Sequence, residues 1–209
     1  MIAAVRRPAR WVLVLGCGML SGCAALFGQS APINYYLLNL VTVASPPKSG
    51  GGGPIFAVAP VRVPQYLSQR GLVTKTGENE IDVALDDQWG GALADNIAAV
   101  LSENISLMIP SDRVVELPVS AAVEVDYEVR VEVVGFERQP DGSVVLTARW
   151  TVFGDGGRRL VAMTRSGFRA VDVVNDYPSI TRAMSSLLAE LSREIATTLQ
   201  RLPATAATS

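Results

Sequence analysis

Histidine is absent from the 209 residues. Its absence removes the commonest general base and the commonest metal ligand, so Ser-His and Cys-His pairs and histidine zinc sites cannot be assembled from this chain alone. Amine bases are scarce too, since lysine occurs only at Lys48 and Lys75. Charged residues make up 18% and are nearly balanced, 18 Lys+Arg against 20 Asp+Glu, scattered rather than clustered. That scatter predicts no basic face and hence no nucleic-acid partner. Cysteine occurs twice, at Cys17 and Cys23, and aromatic residues reach only 6%. With 49% hydrophobic residues, the chain still has enough apolar mass for one ordinary globular core.

The longest apolar stretch near the start, residues 11–20, follows Arg6, Arg7 and Arg10 and ends in Leu20-Ser21-Gly22-Cys23. Ten residues are too few to cross a hydrocarbon core of about 30 Å as a helix, so residues 1–22 read as a signal peptide. Leu-Ser-Gly-Cys resembles the lipobox of bacterial lipoproteins. That resemblance implies cleavage before Cys23, a diacylglycerol on its thiol and an acyl chain on its amine. The mature chain would keep 187 residues, and 15 basic residues against 20 acidic give it a net charge of -5. Cys17 leaves with the signal, which excludes a disulfide, and attachment to the membrane falls to the acyl chains. Ala24, where an aspartate would mark inner-membrane retention in such lipoproteins, implies the periplasmic face of the outer membrane.

Residues 23–32 read as a lipidated tether, 33–202 as one domain with a glycine-rich loop at 46–54, and 203–209 as a disordered tail. The four glycines of the loop cradle no phosphate, because no Lys-Ser/Thr and no helix follow them. Strand patterns are expected at 34–41, 55–63, 72–76 and 81–85. The clearest lie at 123–133 and 144–152, where Val125, Tyr127, Val129, Val131 and Val133 alternate with charged residues. Closing that hairpin by a two- or four-residue loop at the turn Gln139-Pro140-Asp141-Gly142 puts both apolar sets on one face and brings Arg149 near Glu132. A further strand is expected at 160–171. Trp89, Leu93, Ile97, Leu101 and Ile105, flanked by Val100 and Met108, predict a helix capped by Asp86 or Asp87 and stopped by Pro110. A second helix opens at Tyr177-Pro178-Ser179 and runs towards Pro203, with Ile180, Met184, Leu187, Leu188, Leu191, Ile195 and Leu199 as its stripe. Together these elements predict an α+β fold: a mainly antiparallel sheet with two helices packed on one face.

Tyr35-Tyr36-Leu37-Leu38, the segment Ala59-Pro60-Val61-Arg62-Val63-Pro64-Gln65-Tyr66-Leu67, Ile81-Asp82-Val83-Ala84, and Trp89 with Leu93 resemble the ABC-type transport auxiliary lipoproteins, whose best-known branch is the paraquat-inducible protein C lipoproteins. The chain departs from that pattern after Trp89, where Gly90, Gly91 and Ala92 replace an acidic residue and a proline before the leucine. The resemblance implies a non-enzymatic accessory subunit with no cofactor beyond the lipid on Cys23. Its partners would be an ABC transporter, the transporter's periplasmic mammalian-cell-entry-domain protein, which the resemblance implies to form a ring or tube, and, by analogy with such a ring, further copies of itself. A structural or assembly lipoprotein that binds an outer-membrane barrel or the cell wall is the alternative. No catalytic or metal-binding residue is expected; Glu78/Glu80 and Asp86/Asp87 read as solvated turn and cap residues. Pro64, Tyr66 and Leu67 leave the strand as an apolar cluster and are expected to form the partner interface.

Overall fold

The two long hairpin strands organise the molecule. The computed structural model describes residues 32–41, 53–109, 113–118 and 124–203. The expected signal peptide, Cys23, nearly all of the tether, most of the glycine loop, Pro110 and residues 204–209 lie outside them. Strand β6 (Tyr127–Arg138) pairs antiparallel with β7 (Val144–Gly154), and β7 with β8 (Arg159–Ala170). Val129 faces Val152, Val131 faces Trp150 and Val133 faces Ala148. All six are buried, so the predicted apolar face exists in the predicted register.

The rest of the sheet departs from the expectation of mainly antiparallel pairing. Strands β1 (Asn34–Tyr36), β2 (Phe56–Val58) and β5 (Val114–Glu116) pair only with parallel neighbours, while β3 (Gly71–Lys75) and β4 (Ile81–Trp89) form an antiparallel pair; the eight-stranded sheet is mixed. Two strands are shorter than the sequence pattern. After Tyr36 the backbone leaves the sheet, because Leu38 exchanges hydrogen bonds with the Asn96 side chain (2.7 and 3.3 Å) and the Asn39 amide donates to Ser185 Oγ. Pro60 has no N–H to give, so the 55–63 stretch breaks after β2 and resumes only as a bridge at Arg62.

Helices α1 (Leu93–Met108) and α2 (Tyr177–Leu199) pack on each other and on the dry sheet face. Their predicted stripes are buried throughout. Asn104 Nδ2 donates to Ser192 Oγ between the helices, and Trp150 Nε1 donates to Ser166 Oγ, which donates to Glu194, joining β7, β8 and α2. The start of α1 corrects the sequence reading. Trp89 is a core residue, 6% exposed, but it ends β4 rather than leading the helix, and Ala92 occupies the N-cap without a side-chain bond. Asp86 and Asp87 are strand residues; Asp87 accepts from Asn34 Nδ2 and the Tyr36 hydroxyl instead of capping. Asp176 is a true cap, accepting from the Ser179 amide at 2.7 Å.

Candidate functional site

With the helices covering one face of β6–β8, the alternate side chains of those strands project from the other. One straight row crosses that face. Arg62 bridges to Glu132, Glu132 is opposite Arg149, and Arg149 is opposite Arg165. Arg149 reaches Glu132 at 3.5 Å with both side chains 55% exposed, the cross-strand pair that the hairpin register predicted. In the next row Arg130, Thr151 and Met163 are opposite one another. Arg130 donates to Glu128 at 2.6 Å, which raises its already high pKa, and its guanidinium lies 4.4 Å from the Phe153 ring centroid. These residues line an open groove of about 780 Å³ that runs on to Ala59 and Pro60. Basic residues scattered along the chain therefore do meet on one face, contrary to the sequence expectation.

A second groove, about 490 Å³, continues past Arg165 to Arg169, Lys75 and Tyr66. Between the grooves the outer face is thin, because Gly135, Thr147 and Gly167 occupy successive strands at one level. Beyond it lies Glu137, only 3% exposed although it belongs to the outer face. Its carboxylate accepts from the Tyr66 hydroxyl at 2.9 Å, from the Phe136 amide at 2.7 Å and from Gln139 Nε2 at 3.0 Å, with Lys75 Nζ at 3.8 Å. Burial, and then the Glu137 charge and hydrogen bond, push the Tyr66 phenol well above its ordinary range. At the rim, Arg169 pairs with Asp141, whose carboxyl is held below its usual range first by the Ser143 hydroxyl and amide and then by Arg169.

The expected interface triad is divided by the structure. Pro64 precedes a single 3-10 turn, Gln65–Leu67, and is half-buried; Tyr66 is half-buried with its hydroxyl engaged. Leu67 is corrected: at 2% exposure it is a core side chain, packed under the turn, and offers no contact surface. Sequence reasoning missed Arg62, Arg165 and Glu137, whose meeting depends on strand register rather than on any local pattern. Among the described residues no cluster of three or more acidic, cysteine or histidine residues could hold a metal, and no helix is long and apolar enough to cross a membrane.

Comparison with known proteins places this architecture. The Escherichia coli K12 and Shigella flexneri proteins named intermembrane transport lipoprotein PqiC are each 24% identical over 196 residues, 93% of this chain and 99% of theirs. A crystal structure of an uncharacterised protein superposes with a TM-score of 0.67 at 23% identity, covering 80% of this chain and 99% of its own. Protein XCC0632 from Xanthomonas campestris gives 0.64 at 15% identity over 81% and 95% of the two chains. The profile of the ABC-type transport auxiliary lipoprotein component matches residues 36–196, from the first strand nearly to the end of α2 and across both grooves, and the chain belongs to that family.

Proposed function

We propose that the protein is an accessory lipoprotein of an intermembrane transport system, anchored by lipid on Cys23 to the periplasmic face of the outer membrane. It works there beside an ABC transporter and the transporter's mammalian-cell-entry-domain protein. The observation that carries this reading is the family match over 36–196, supported by relatives of nearly equal length whose name is intermembrane transport lipoprotein. The geometry is that of a binding module. Its polar constellation is built of Lys75, Arg130 and Arg149 in ion pairs with Glu137, Glu128 and Glu132.

Affinity purification of the full-length protein from detergent-solubilised membranes, followed by mass spectrometry, tests the assignment. The expected companions are an ATPase, a permease and a mammalian-cell-entry-domain protein. Recovery of an outer-membrane barrel or cell-wall fragments without them would overturn the transport reading. Density-gradient separation of the two membranes tests the location, and sedimentation with the inner membrane would overturn that part.

A further inference from the structure

We propose that the outer sheet face binds an anionic amphiphile, its phosphate-bearing head held by Arg62, Arg149 and Arg165 and its apolar part lying on Phe153 and Met163. This deepens the transport reading and rests on it for the source of the ligand.

The first observation is a charge conflict. Arg149 and Arg165 are directly opposite in the antiparallel β7–β8 register, where Cβ atoms come within about 4.5–5.5 Å and like charges oppose folding. Glu132 is the one carboxylate in a row of three guanidinium groups. Elsewhere on the same strands Arg130, Arg159 and Arg169 each pair with an acid. Among the described residues neither Arg62 nor Arg165 forms an ion pair, so three guanidinium groups stand against one carboxylate. A bound anion would supply the missing counter-charge.

The second is the kind of cation. Of the 18 basic residues only two are lysines, and no lysine lines the first groove. The guanidinium fork matches the oxygens of phosphate and carboxylate in two parallel hydrogen bonds, which a lysine cannot do. The third is the apolar border. Met163 is 69% exposed, and Phe153 sits beside it under the Arg130 guanidinium. Leu160, opposite Phe153, is 51% exposed. An acidic peptide or a free anion would satisfy the arginines and leave these side chains in water, whereas an amphiphile covers both. A groove of about 780 Å³ lies within the ordinary range of small-ligand sites.

Native mass spectrometry of the full-length protein in a neutral detergent provides the test, with short-chain phosphatidylglycerol, short-chain phosphatidylcholine and inorganic phosphate as probes. Wild-type protein should take up phosphatidylglycerol about tenfold more readily than either of the others, the difference expected from one charge-assisted contact. Arg149→Gln with Arg165→Gln should remove that preference. Met163→Ser should weaken lipid uptake several-fold and leave any phosphate binding unchanged. Because the two arginines repel one another, Arg165→Gln should melt no lower than wild type, which separates lost binding from lost folding. Equal uptake of both lipids, or undiminished uptake by the double variant, overturns the proposal. Phosphate bound as tightly as the lipid would reduce the groove to a free-anion site. An acidic partner protein lost only from the double variant, with no lipid on wild type, would make it a protein interface. The assay needs no transporter, so failure here and failure of the co-purification are distinguishable.

Discussion

Glu137 is the residue on which the two ends of the outer face depend. A carboxylate this thoroughly removed from water is tolerable only while donors surround it, and Tyr66 supplies one of them from a turn 71 residues upstream. Tyr66→Phe keeps the ring and deletes the donor, so it should cost roughly 1–3 kcal/mol in urea unfolding. An unchanged midpoint would mean that water replaces the hydroxyl. Tyr36 gives a complementary prediction in alkali. Burial first, then the hydrogen bond to Asp87 and the charges of Asp87 and Asp176, push its pKa from 10.0 up to about 12. The unfolded chain therefore loses this proton before the folded one does. The stabilisation is fully present below pH 10 and drains away as the pH rises towards 12. Urea midpoints measured across that interval should fall, and Tyr36→Phe should make the fall shallower; an identical slope would remove Tyr36 from the explanation. Tyr66 was recognisable in the sequence as an aromatic residue outside the strand alternation. Glu137 was not, because a charged residue on a wet strand face looks solvated until a distant turn covers it.

At the scale of elements, the hairpin was legible because burial alternates with period two over long strands; the five residues between Arg138 and Val144 would by themselves turn the two apolar sets to opposite faces, and the bulge between Val133 and Gly135 restores the expected pairing of Glu132 with Arg149. The third and fourth members of the row could not be paired in advance. Arg62 arrives by a parallel bridge after a proline break, and Arg165 depends on the offset of β8, neither of which has a local signature. The junction of β4 and α1 misled for a different reason: Trp89 and Leu93 are four apart and both buried, which mimics a helical stripe, although one ends a strand and the other opens a helix. Strand β4 also carries a shift that sequence does not show, since Gly71 is opposite Gln88 while Val73 is opposite Val83. At Gly71 the strands approach so closely that an added Cβ would sit 2.0 Å from the Ala84 carbonyl oxygen and 2.9 Å from Val83 Cγ1. Backbone cannot yield as a side-chain tip can. Gly71→Ala should therefore destabilise by about 1–3 kcal/mol or more, against about 0.5–2 kcal/mol for loss of the α2 cap in Asp176→Ala. Thermal melts of the two variants check the order, and the reverse order would show that β4 slides to make room.

Across the whole molecule, charge is distributed unevenly. With residues 1–22 cleaved as we propose, Arg6, Arg7 and Arg10 go and 15 basic residues stand against 20 acidic, a net -5. The groove row and its neighbour, Arg62, Arg130, Arg149 and Arg165 against Glu128 and Glu132, nevertheless carry a surplus of positive charge. An acidic body is repelled by anionic headgroups as a whole, and only one face offers a local exception. Exposed apolar side chains at Ile33, Tyr35 and Leu37 lie where the chain leaves the tether, yet singly exposed residues of this kind do not hold a protein on a bilayer. Among the described residues no helix is long and apolar enough to span one either. The acyl chains that we propose on Cys23 would supply stable attachment, and the ten residue steps from Cys23 to Ile33 can hold the domain no farther than about 36 Å from the anchor. Cys23→Ser should shift the protein from the membrane pellet to the soluble periplasmic fraction at physiological salt, with its melting temperature unchanged because the folded unit begins at Ile33. Intact-mass measurement of the wild type should show the acyl increment that the variant lacks. A variant that stays in the pellet and is released only by high salt would transfer the anchoring role to the arginine face, because charge attraction is screened by salt and acyl insertion is not.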